Sequence, residues 1–88
     1  MIEKKVKIVN KAGMHTRPAS AIVKIASKYR SDFYIVKNNF RINGKSIIGV
    51  MTLAAEQGSE LTLVLEGEDE AKASAELVKF FEDGFGEL

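Results

Sequence analysis

The chain of 88 residues holds one histidine, His15, and its neighbours decide what chemistry it can do. His15 follows Gly13-Met14 and precedes Thr16-Arg17-Pro18-Ala19. A lone histidine in a loop is most often a plain surface residue, and three neighbours argue against that here. The helical period begins at Thr16, so His15 stands where a helix leaves its first backbone N–H groups without partners, and those groups with the helix dipole favour an anion. Arg17 adds a planar, permanently charged donor suited to phosphate oxygens. Gly13 permits a tight turn and the close approach of a partner. A nucleophilic ring nitrogen beside an anion cradle, with the N–H groups of Thr16 and Arg17 as its backbone, is what phosphoryl acceptance on histidine requires.

Ser46 is the second candidate. Gly44-Lys45-Ser46 has the look of the tail of a nucleotide-binding P-loop, but the first glycine of that motif would fall at Asn39, and the match fails. As the residue before a short apolar run, Ser46 reads as a helix N-cap. That role is compatible with modification, because a phosphate at a helix N-terminus is favourable to the dipole. Ile47, Ile48 and Met51 cannot all face inward from a helix spanning 47–53. A small exposed apolar patch with a charged rim of Arg17, Lys24 and Lys45 has the form of a docking site. Taken alone, the lysines are more simply a solvated face.

Composition narrows the field. The absence of cysteine excludes disulfides, thiol catalysis and thiolate metal sites, and suits a reducing compartment. One histidine without a thiol or an evident paired acid gives neither a triad nor a metal cage, so no self-contained catalyst and no metal or other cofactor is expected. A net charge of +1 gives no long-range attraction to nucleic acid or anionic lipid. The opening residues show neither a signal peptide nor a membrane span, and a soluble cytoplasmic protein is expected.

These candidates need a frame, and the periodicities supply one. Residues 2–9 alternate as a half-buried strand, with Val6 and Ile8 on one face and Lys5 and Lys7 on the other. From Thr16 the period turns helical, with Ala19, Ile22, Ile25, Ala26 and Tyr29 sharing a broad face and Pro18 in the first turn. Strands over 33–37 and 40–43 flank Asn38-Asn39, a pair that tolerates positive φ, and predict a hairpin. After the short helix, Leu61, Leu63 and Leu65 alternate as a fourth strand. Glu68-Asp69-Glu70 opens a last helix, for which Ala71, Ala75, Val78 and Phe81, with Leu77 beside them, form the expected buried stripe. Gly84 and Gly86 end it. The order βαββαβα, in 88 residues with no linker, predicts one α+β domain over 1–88: a single sheet with all helices on one face and the other face solvated. An RNA-recognition domain shares much of this order, but the strands lack its stacking aromatics.

The segment Gly13-Met14-His15-Thr16-Arg17-Pro18-Ala19 resembles the active-site signature of the HPr phosphocarriers of the bacterial phosphotransferase system. Lys45-Ser46-Ile47-Ile48-Gly49-Val50-Met51-Thr52-Leu53 resembles that family's regulatory-serine region, at the family's spacing. The resemblance implies an open-faced β-sandwich with antiparallel strand order 1-4-2-3. It implies a monomeric carrier in which His15 accepts phosphate on Nδ1 from phospho-enzyme I and passes it to enzyme IIA domains of sugar transporters, with Arg17 as electrostatic partner. It makes Ser46 the target of an HPr kinase in bacteria that possess one, and adds a catabolite-control regulator as a further partner. Thr16, Ser20, Lys24, Lys45, Ile47, Ile48 and Met51 are its implied docking residues. Two positions depart from the family pattern: Met14 replaces the usual Leu or Ile, and Ala12 offers the His15 loop no side-chain hydrogen bond where many members have a polar residue.

Overall fold

The computed structural model describes residues 1–87. Its elements are β1 (Ile2–Lys7), α1 (Thr16–Ala26), β2 (Asp32–Lys37), β3 (Phe40–Asn43), α2 (Ile47–Thr52), β4 (Glu60–Glu66) and α3 (Glu70–Glu82). The four strands form one antiparallel sheet in the order β1-β4-β2-β3. In register, Ile42 faces Ile35, which faces Leu63, and Phe33 faces Leu65, which faces Ile2. These rows point to the face that carries the helices, where they meet Ala19 and Ile22 of α1, Val50 of α2 and Leu77 and Phe81 of α3. The opposite face carries Lys5, Thr62 and Tyr34, with the Arg41 guanidinium 3.9 Å above the Tyr34 ring. The fold is thus the expected open-faced sandwich.

Local chemistry accounts for the connections. Asn38 and Asn39 both adopt positive φ, the turn that matches the twist of a two-residue hairpin. Ser46 caps α2 by accepting a hydrogen bond at Oγ from the Gly49 N–H at 3.1 Å. Asp69, at the N-cap of α3, turns its carboxylate away from its own helix. It accepts bonds from the Arg30 N–H at 2.9 Å, the Ser31 N–H at 3.0 Å and the Ser31 hydroxyl, tying α3 to the segment before β2.

The buried face of α3 differs from the one expected. Ala73, Ser74, Leu77 and Phe81 are buried, whereas Ala71 and Ala75 are exposed and Val78 is half-buried. The helix is turned to bury its largest side chains, and alanine has the least apolar area to lose at the solvent edge. Ser74 is satisfied there by donating its hydroxyl to the Ala71 carbonyl at 3.1 Å. Beyond α3 the chain does not simply stop: Gly84, Phe85 and Gly86 all take positive φ and fold back. The Phe85 ring packs 5.3 Å from that of Phe80 and 5.0 Å from that of Phe81, and this burial holds a backbone conformation rare for a non-glycine residue.

Candidate functional site

The loop between β1 and α1 is pinned from below. The Ile8 N–H donates to Ser59 and the Gly58 N–H to Ile8, extending the β1–β4 ladder past its last paired residue. Asn10, buried at 1 % exposure, donates through Nδ2 to the Gly13 carbonyl at 2.9 Å and closes the turn. Gly13 has φ +69, and a Cβ there would stand 2.7 Å from the Ala55 carbonyl oxygen, so no other residue fits without moving that backbone. The Met14 N–H donates to the same carbonyl at 2.8 Å, and its side chain is buried in the core.

His15 emerges from this loop as the N-cap residue of α1, in extended conformation. Its carbonyl accepts the first intrahelical bond from Ala19 at 3.0 Å, but its side chain does not cap the helix. The first-turn N–H groups have no intrahelical partner, and Pro18, third in the helix, has none to offer. Thr16 and Arg17 therefore supply the donors at this end, and both side chains are exposed. The N-terminus of α1 and the Arg17 guanidinium together make an electropositive step around a ring whose side chain is 40 % exposed.

The ring is held from the far end of the chain. His15 Nε2 lies 2.9 Å from Oε2 and 3.1 Å from Oε1 of Glu87. Asn10 Nδ2 donates to that same Oε1 at 2.8 Å. The His15 hydrogen bond first, then that of Asn10, and the nearby Arg17 charge keep the Glu87 carboxyl below the usual carboxylate range. Neither Asn10 nor Glu87 stood out in the sequence. The ring is thus held by Glu87, and Glu87 by Asn10.

Ser46 lies at the N-terminus of α2, which packs against α1. Ile47, Ile48 and Met51 are the exposed apolar residues of that helix, Ile48 at 78 %, while Val50 is buried. Ser20 and Lys24 are exposed on α1. Lys45 is half-buried and donates its ammonium to the Tyr29 carbonyl at 2.8 Å, so it links α2 to the end of α1 as well as flanking the patch. No cluster of metal-ligating side chains occurs among the described residues.

Residues 2–83 match the family described as the PTS HPr component phosphorylation site. The chain belongs to the HPr family. It is 46 % identical to phosphocarrier protein HPr of Treponema pallidum over 87 residues, which cover 99 % of each chain. Its fold superposes on a crystal structure of HPr from Thermoanaerobacter tengcongensis with a TM-score of 0.95, at 43 % identity, covering 100 % of this chain and 99 % of that one. A second structure from that organism, described as an HPr dimer, matches with a TM-score of 0.79 at 44 % identity over 99 % and 100 % of the two chains. HPr proteins are phosphocarriers of the phosphotransferase system, and the sheet order and helix placement seen here are theirs. No helix among the described residues is long and apolar enough to cross a membrane.

Proposed function

We propose that this HPr chain accepts a phosphoryl group on His15 from phospho-enzyme I and delivers it to enzyme IIA domains of sugar transporters. It acts as a one-domain cytoplasmic carrier and not as a self-contained catalyst. The observation that carries this reading is the placement of a half-exposed imidazole at the uncapped start of α1, beside Arg17. In the transfer, a ring nitrogen lone pair forms a bond to phosphorus while the bond from phosphorus to the donor atom breaks, its electron pair leaving with the donor. The N–H groups of Thr16 and Arg17 and the Arg17 guanidinium meet the phosphoryl oxygens as charge moves across. Ile47, Ile48 and Met51 form the apolar centre of the docking surface, with Thr16, Ser20, Lys24 and Lys45 around it.

Ser46 is the regulatory site. A phosphate there places charge beside the apolar patch, where a partner would have to desolvate it. The carrier works as a monomer, and sedimentation at micromolar concentration checks this against the dimer state of its Thermoanaerobacter relative. The decisive experiment for the function is incubation with enzyme I and labelled phosphoenolpyruvate. The label must be acid-labile, as phosphohistidine is, and lost in His15→Ala. Acid-stable label would place the phosphoryl group elsewhere.

A further inference from the structure

We propose that Glu87 is a positioning residue that selects the tautomer of His15, keeping the proton on Nε2 and leaving the lone pair of Nδ1 free as the nucleophile. This rests on His15 being the phosphoryl acceptor through Nδ1, as the family resemblance implies, and it names the residue that holds the ring in the state that reaction needs.

Glu87 is ionised at neutral pH, because the His15 and Asn10 hydrogen bonds hold its carboxyl below the ordinary range. An ionised carboxylate accepts only. Its Oε1 already receives a proton from Asn10 Nδ2, and both oxygens lie within hydrogen-bond distance of His15 Nε2. The proton between ring and carboxylate must therefore come from the ring. In neutral imidazole a proton on Nε2 leaves Nδ1 without one.

The carboxylate is itself held in place. Asn10 is buried and fixed to the Gly13 carbonyl, so it presents its second amide hydrogen in a set direction. From the other side, the buried Phe85 ring and the positive-φ turn 84–86 bring Glu87 back across the His15 loop. Ring, carboxylate and amide form a chain in which each member is oriented by the next. The same carboxylate faces the positive charge that spreads over the ring when Nδ1 bonds phosphorus, and so favours the phosphorylated carrier.

The test uses nitrogen-15 NMR of the unphosphorylated protein at a pH where the ring is neutral, with phosphoryl-transfer rates alongside. In the wild-type protein Nδ1 should show the shift of an unprotonated ring nitrogen and Nε2 that of a protonated one. Glu87→Gln keeps the reach but can offer an amide proton as readily as an oxygen, and Glu87→Ala removes the partner. Both should mix the tautomers and lower the initial rate at saturating enzyme I by roughly tenfold, as loss of a hydrogen bond to a charged group does. Half-saturation and melting temperature should stay unchanged, which separates positioning from docking and folding. A wild-type ring with its proton on Nδ1, tautomers unmoved in Glu87→Ala, or an undiminished rate in that variant would each overturn the proposal. A wild-type protein that takes no phosphoryl group would instead refute the function and leave the tautomer measurement standing.

Discussion

Two helix starts in this molecule are finished in opposite ways. At α2 the residue in the N-cap position, Ser46, turns its hydroxyl onto the Gly49 N–H, so the helix end is satisfied from within. At α1 the N-cap residue is His15, whose ring makes no such bond and turns to Glu87, while the first-turn donors of Thr16 and Arg17 stay available. A capped end stabilises its helix, whereas an uncapped one forgoes that stabilisation and keeps its donors for a ligand. The contrast separates the proposed transfer site from the proposed regulatory site by the state of their backbone, apart from any motif.

The widest break in this comparison is His15→Ala. It should abolish acid-labile labelling by enzyme I and leave the melting temperature within a degree or two, since the ring supports neither cap nor core. Full labelling of the variant would show that the uncapped end is not the transfer site.

Arg17→Lys tests the same end more gently. The charge stays but the planar fork is lost, and the initial rate of transfer should fall by roughly tenfold with little change in half-saturation. A raised half-saturation at an unchanged maximal rate would make Arg17 a docking residue alone.

At the other helix start, two substitutions of Ser46 divide stability from recognition. Ser46→Ala removes the cap and should cost about 1 kcal/mol in denaturant unfolding, with phosphoryl transfer intact. Ser46→Asp can keep the cap, and should raise the half-saturation for enzyme I without lowering stability, because its charge lies beside Ile47, Ile48 and Met51. Added salt should relieve part of that loss. Wild-type kinetics in a stable Ser46→Asp protein would mean that this surface does not face enzyme I.

Much of this was legible in the residues, and the exceptions have a common cause. Asn38-Asn39, the Ser46 cap and the helix start after His15 are written in a few adjacent side chains, and each appears where expected. The buried face of α3 departs from its apolar pattern because Ala71 and Ala75 carry apolar character but little area, so Leu77 and Phe81 set the rotation. Glu87 was invisible because it is 72 positions from His15 and its placement depends on a turn at Phe85 that only packing can hold. Local signals record local bonds; a contact closed by the whole fold leaves no period to read.

A third helix start completes the comparison and carries the smallest effect. Asp69, at the N-cap of α3, neither caps its helix nor leaves a site open; it binds the Ser31 hydroxyl and the N–H groups of Arg30 and Ser31. The bond from the Ser31 hydroxyl, followed by that from the Arg30 N–H, lowers its carboxyl to about 2. An unfolded aspartate titrates near 3.9, so the folded state holds this proton less tightly. The stability that results is fully present above about pH 4 and is lost as pH falls toward 2, where both states become protonated. Asp69→Asn removes the titrating group, so its deficit relative to the wild type should be largest at neutral pH and shrink through this window. Glu70, Glu76 and Glu87 are also lowered and weaken both proteins alike in acid, so the difference between the two isolates Asp69. Denaturant unfolding of both proteins at pH 7, 4 and 2 provides the measurement. A deficit that stays constant across that range would mean Asp69 contributes through its shape and hydrogen bonds, with no part for its charge.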